Sequence, residues 1–238
     1  PRGGGRVDAS FLHSRRSPVK TMHRNRRLII SAIPLTLGLG LFAGASCTSS
    51  SGDDGGGSGS CNGLIAGDLV ITEIMANPPG ADAGNEWIEI YNAGSSAADL
   101  SGLTLLLSKE DGSPEKTHEI GELVIEPGQY AVLVATVDEI KPEWASYGYG
   151  SELGDMNNTA GRIAVLCGDD SVLDETRYSE PEDGFSRGYD GAVAPDSIGN
   201  DDLAAWCDAS TPFGEGFATP GAQNDFCSAP GQCEGADG

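Results

Sequence analysis

Beyond the first 46 residues, this chain has a single histidine, His118. A Ser-His-Asp or Cys-His nucleophile would have to use it as the base. It stands between Thr117 and Glu119 in a polar stretch and reads as an exposed surface histidine. Carboxylates pose the opposite problem. Residues 47–238 hold 35 Asp and Glu, so no pair can be singled out as the acid and base of a glycoside hydrolase. Neither a phosphate-cradling G-x-x-x-x-G-K-[ST] nor a G-x-S-x-G elbow occurs. The chemistry that abundant acids suit best is calcium binding, which takes six to eight oxygens from carboxylates and loop carbonyls. The candidate loops are residues 82–86, Asp169 and Asp170 with Asp174, and residues 200–202. None has the spacing of an EF-hand, and the simpler reading is solvated acidic turns. No other cofactor is implied.

Two further residue types could make a site. Trp144, Tyr147 and Tyr149 cluster in a run interrupted by glycines, Trp-Ala-Ser-Tyr-Gly-Tyr-Gly. Such a loop can present ring faces to a glycan or a protein. The plainer alternative is that the rings cap one end of the fold. Six cysteines are present: Cys47, Cys61, Cys167, Cys207, Cys227 and Cys233. Connectivity does not follow from sequence. Our expectation is Cys167 with Cys207 and Cys61 with Cys227, the latter because those two bracket the globular part. Trp206, beside Cys207, reads as core packing against a disulfide. A zinc site is not expected, because no C-x-x-C occurs and histidine is scarce.

The elements that must position these residues follow an export signal. Residues 1–21 are polar, basic and irregular, and are expected to lie upstream of the true start at Met22. From there, His23-Arg24-Asn25-Arg26-Arg27 precedes an apolar run to Phe42, and Gly44-Ala45-Ser46-Cys47 resembles a lipobox, the cleavage site before a lipidated cysteine. Residues 22–46 are thus expected to be a lipoprotein signal peptide, with Cys47 the lipid anchor to the membrane. Cleavage after Ala45, giving a secreted protein, is the alternative, and an uncleaved anchor a third reading. Residues 47–60 form a Gly/Ser-rich tether. After residue 46 the chain carries six Lys and Arg against its 35 acids, a net charge of −29. That field excludes nucleic acid as a partner, since nucleic-acid affinity rests largely on cations. Exported, lipid-anchored and acidic, the protein is expected at the cell envelope or outer membrane.

From Cys61 the pattern is β. Residues 69–76, 86–92, 103–107, 118–120, 130–135, 162–167, 172–178 and 185–189 read as strands, punctuated by Gly, Pro, Asn and Asp. Pro127-Gly128 marks a turn, Gly128 being free to take positive φ. Gly168-Asp169-Asp170-Ser171 reads as a hairpin loop. Residues 137–145 are the one short helix predicted. In residues 86–92, Ile88 and Ile90 face one way, and Trp87, Glu89 and Tyr91 the other. Ile88 and Ile90 are expected inward, with Trp87 and Tyr91 half covered outside.

The succession Ile71-Thr72-Glu73-Ile74-Met75-Ala76-Asn77-Pro78, then Glu86-Trp87-Ile88-Glu89-Ile90-Tyr91-Asn92, then Asp99-Leu100-Ser101-Gly102-Leu103 resembles the lamin-tail domain. Pro127-Gly128-Gln129-Tyr130, Asn157-Asn158 and the closing Ala218-Thr219-Pro220-Gly221-Ala222-Gln223-Asn224 look like later landmarks of the same family. The resemblance implies an all-β, immunoglobulin-like sandwich over residues 61–227, with a disordered tail at 228–238. It implies little catalysis. The expected function is a non-catalytic envelope lipoprotein that binds a protein partner or acts as a scaffold. A carbohydrate-binding or adhesin-like module is one alternative. A hydrolase with a carboxylate pair converging in a cleft is the other.

Overall fold

The computed structural model describes residues 61–229 and 231–234. The segments expected to be an export signal and a tether, with Cys47, lie outside the described residues. No α-helix occurs among those described. The strands in chain order are β1 (Leu69–Met75), β2 (Trp87–Asn92), β3 (Ala98–Asp99), β4 (Thr104–Ser108), β5 (Lys116–Glu119), β6 (Val124–Ile125), β7 (Tyr130–Val134), β8 (Tyr147–Gly148), β9 (Ala160–Leu166), β10 (Val172–Ser179), β11 (Arg187–Tyr189), β12 (Trp206–Asp208), β13 (Pro212–Phe213), β14 (Gly216–Phe217), β15 (Phe226–Ala229) and β16 (Gly231–Glu234). One sheet runs β15-β16-β12-β11-β1-β2-β7-β8, and the facing one β10-β9-β4-β5. The small pairs β13-β14 and β3-β6 complete the described set.

Alternation along the strands builds the core between the sheets. Ile74 of β1, Ile88 and Ile90 of β2 and Leu133 of β7 meet Leu105, Ile163 and Val165 of the facing sheet, and all are buried. The inward placing of Ile88 and Ile90 follows the sequence pattern. β1 departs from strict alternation. Its register against β2 slips between Ile71 and Glu73, so Leu69, Ile71, Ile74 and Ala76 all belong to the core while Thr72 and Glu73 both turn to the other face. Such a bulge adds one residue to a strand and re-aims its neighbours. Here it brings Glu73 opposite Glu89.

The outward face of this larger sheet is also covered. Met75, Trp87, Val132 and Val134 form a second apolar cluster with Ala218, against which Phe213 packs. Trp87 is therefore buried, not half covered. Its ring lies 6.0 Å from that of Trp144, which in turn meets Phe213 at 5.2 Å. Tyr91, further along the same face, is half-buried.

Three more expectations are corrected. The helix over 137–145 contracts to a single 3-10 turn, Asp138–Ile140. Lys141 is extended at φ −60°, ψ 150°, the conformation imposed on a residue before proline, here Pro142. Gly128 does take positive φ, 73°. The disulfides join Cys61 to Cys167 and Cys207 to Cys227, not Cys167 to Cys207 and Cys61 to Cys227. Chain entry explains the first: Gly67 N–H bonds Leu173 C=O across the β9–β10 hairpin, which sets Cys61 4.7 Å (Cα–Cα) from Cys167. The second follows from the chain's return. β16 pairs in parallel with β12 and antiparallel with β15, so Cys227 arrives beside Cys207. For the same reason part of the expected disordered tail is paired: β15 runs to Ala229 and β16 spans Gly231–Glu234, and the rest of it lies outside the described residues.

Candidate functional site

The constellation with the most chemistry is a pair of buried glutamates on the outward face of the larger sheet. Glu73 and Glu89 are register partners on β1 and β2 and both are fully buried. The closing segment of the domain lies over them. Glu73 Oε1 accepts from the Ser186 hydroxyl and from Thr219 N–H at 2.8 Å, and its Oε2 lies 3.0 Å from Thr219 Oγ1. Glu89 Oε1 accepts from Thr72 Oγ1 at 2.8 Å, and its Oε2 from Gly221 N–H at 2.6 Å. All four carboxyl oxygens are thus engaged.

Asn224 uses both amide hydrogens on backbone carbonyls, Thr72 O at 2.6 Å and Tyr189 O at 2.9 Å, so its Oδ1 is an acceptor. The Thr219 hydroxyl lies 3.0 Å from both that Oδ1 and Glu73 Oε2, and its single proton is shared between them. Burial pushes the Glu73 pKa from 4.5 up to about 7 against the hydrogen bonds from Ser186 and Thr219. Burial and then the neighbouring Glu73 raise Glu89 well above its ordinary range. Asp225 shows the contrast. Burial alone would raise it, but the N–H and hydroxyl groups of Ser210 and Thr211 hold it below the usual carboxylate range.

Two other buried acids work in the same way. Both oxygens of Glu86 accept from Met156 N–H, at 2.9 and 2.8 Å, and burial raises Glu86 to about 7. Asp174 Oδ2 accepts from Ile71 N–H at 2.7 Å and from Asn200 Nδ2 at 2.9 Å, and burial raises it to about 7 as well. Each buried acid fastens a distant loop to the strand framework. An acid that cleaves a glycoside must touch its substrate. The Glu73–Glu89 pair touches the Thr219–Gly221 backbone instead, so these two carboxyls do not face an open cleft.

The structure scatters the calcium candidates. Asp169 is exposed and accepts from Ser171, whereas Asp174 is buried in the contacts above. Asp169, Asp170 and Asp174 do not converge. Among the described residues, the acid, cysteine and histidine atoms that cluster tightly enough for a metal are those of Cys61, Cys167 and Asp169, and the two sulfurs are joined to each other. The aromatic candidates are also dispersed. Tyr149 is buried in the main core, and burial raises its phenol. Tyr147 turns its hydroxyl inward, accepting from Gly121 N–H at 2.9 Å and meeting His118 Nε2 at 2.9 Å. Trp144 is the most open of the three, at 38% exposure, and Tyr147 is half-buried. These rings therefore cap the fold more than they present a platform. His118 is not a free surface side chain: its other nitrogen meets Glu152 at 2.7 Å, so it struts β5 against the 147–152 segment. Trp206 is buried in the core as expected, its indole N–H donating to Asn200 O at 2.8 Å.

Residues 65–180 match the Lamin Tail Domain family. The match covers both sheets of the sandwich except β11, β12, β15 and β16, and the domain belongs to that family, whose members are generally non-enzymatic immunoglobulin-like modules. No curated protein matched the chain. The two disulfides mark a domain of the kind that persists in oxidising, exported compartments. Sequence reasoning missed Glu73 and Glu89. The available signal was Glu89 itself, a charge on the same strand face as Trp87 and Tyr91. An acid flanked by large rings on one face implies that something covers that face.

Proposed function

We propose that this chain is a non-catalytic module, tethered to the cell envelope through a lipid at Cys47, that binds a protein partner. The observation that carries the binding reading is an exposed apolar corner. Val172 and Ile198 line one surface depression together with Ala66. Ile198 is 80% exposed, and Ile65, next to Ala66 in the chain, is 69% exposed. Apolar side chains gathered on a soluble face and rimmed by charge are the usual mark of a protein contact. The rim here includes Glu175 and Asp201 together with Arg177, which pairs with Glu175, so the fitting partner brings an apolar knob with a basic group opposite Asp201. The enclosed carboxylates support the non-catalytic half of the reading. Mature protein immobilised at its tether should retain a discrete envelope protein, and Ile198→Glu should abolish that capture while leaving the melting temperature unchanged. Equal capture by both forms would refute this surface. Cys47→Ser should move the chain from the membrane fraction to the soluble fraction, and retention in the membrane would refute the anchor.

A further inference from the structure

A second surface has different chemistry and goes beyond the protein-binding reading. Tyr91, the fifth residue of β2, and Tyr130, the first of β7, are register partners. Their rings lie 4.8 Å apart with a 47° tilt, and both side chains are half-buried. They line one side of a cleft of about 330 Å³ whose other walls include Tyr189, Asp190 and Gln223. Gly191 lets the opposite wall close in, because a Cβ there would overlap the Asn224 carbonyl.

The open functional groups define the occupant. Asp190 Oδ1 accepts from Ala192 N–H at 2.9 Å and Cys227 N–H at 3.0 Å, and Oδ2 has no hydrogen-bond partner among the described residues. Gln223 donates to Gly191 O at 2.6 Å, and its carbonyl oxygen has no donor among the described residues. No Lys or Arg lines the cleft, and the chain after residue 46 carries a net charge of −29. Tyrosine faces, a carboxylate and spare acceptors suit a cation that offers an apolar, weakly hydrated surface. They repel a phosphate or a carboxylate.

We infer that the Tyr91–Tyr130 cleft binds a small organic cation of the alkylammonium type, its methyl groups over the tyrosine rings and its charge balanced by Asp190. A strongly hydrated metal ion would not use the rings. A neutral sugar would use them but would gain nothing from the carboxylate or from the overall field.

The test titrates the full chain, purified in detergent, with choline and with its uncharged isostere 3,3-dimethyl-1-butanol, by calorimetry. Choline should bind at least about tenfold more tightly than the isostere, as a cation–π contact of this kind requires. Tyr130→Phe keeps the ring and should bind within about twofold of wild type, whereas Tyr130→Leu should weaken binding by roughly fivefold or more. If Tyr130→Leu proves misfolded, saturation transfer from tyrosine ring protons to the choline methyls in the wild-type chain gives the same answer. Phosphatidylcholine vesicles distinguish a lipid headgroup from a free solute: binding of either supports the cleft and assigns its source. Equal affinity for the isostere, affinity for maltotriose in place of choline, or no binding to any choline form would overturn it. Capture of an envelope protein that persists in Tyr130→Leu but is lost in Ile198→Glu separates this site from the protein-binding corner.

Discussion

Replacing Glu73 by glutamine separates a held acid from a held carboxylate. Glutamine is nearly isosteric with the protonated side chain. Its Oε1 can accept from Ser186 and Thr219 N–H as Glu73 does, and its Nε2 can take the place of Glu73 Oε2 beside Thr219 Oγ1, whose hydroxyl then donates to Asn224 Oδ1 alone. The folded chain keeps a proton on Glu73 up to about pH 7, whereas the unfolded chain releases it near the ordinary value of 4.5. Between those values the native state binds more protons, so stability from this group is complete below 4.5 and is lost as pH rises through about 7. At about 1.36 kcal/mol per pH unit, the wild type forfeits on the order of 3 kcal/mol above that window. The loss falls nearer 1 kcal/mol if Glu89 takes over the proton. Glu73→Gln should therefore match the wild type in denaturant unfolding near pH 5 and exceed it by roughly 1–3 kcal/mol near pH 8.5. In a domain of this size that is on the order of 2–10 °C in melting temperature. A variant destabilised by the same amount at both pH values would refute the proton assignment, because it would mean that the donors grip an ionised carboxylate.

Other outcomes follow from packing and cross-linking. Non-reducing peptide mapping should recover Cys61 linked to Cys167 and Cys207 linked to Cys227. Removing the second bridge, which closes 20 residues, should cost about 3 kcal/mol in chemical denaturation. Trp87→Ala should cost about 3–5 kcal/mol because it empties the covered outer cluster; a loss below about 1 kcal/mol would show that the β13–β14 cover is not packed there. Gly191→Ala should lower the melting temperature by several degrees, since the new methyl meets the Asn224 carbonyl; an unchanged melt would mean that the wall is free to give.

The sandwich was legible because short strands recur between turn residues and β2 carries clear alternation. Ile88 and Ile90 are written for one face, and Pro127-Gly128 for a turn. The ordered landmarks from β1 through Asp99–Leu103 to the closing Ala218–Asn224 together pointed to the family. What stayed hidden depends on contacts distant in sequence. The bulge at Thr72–Glu73 shows in the sequence only as two adjacent polar residues, which do not say which partner they will meet, yet it decides that Glu73 meets Glu89. The short strands β12 to β16 have too few residues to show a period, so the cover over the outer face and the cysteine pairing could not be read. The predicted helix at 137–145 overweighted propensity against the single constraint of Pro142. Trp144, Tyr147 and Tyr149 have a composition suited to recognition, but burial decides their role, and burial depends on His118, Gly121 and Phe213 arriving from elsewhere in the chain. The aromatic surface that remains open, Tyr91 with Tyr130, is split between two strands about 40 residues apart in the sequence.

The central claim is that the paired glutamates are internal fasteners and not reagents. A carboxyl ¹³C NMR titration of glutamate-labelled protein tests it most directly. Two glutamate signals, those of Glu73 and Glu86, should titrate near 7 and a third, that of Glu89, well above the ordinary range, all three returning to ordinary values on unfolding. Signals of Glu73 and Glu89, assigned by their loss in Glu73→Gln and Glu89→Gln, that both titrate at or below 4.5 would contradict this.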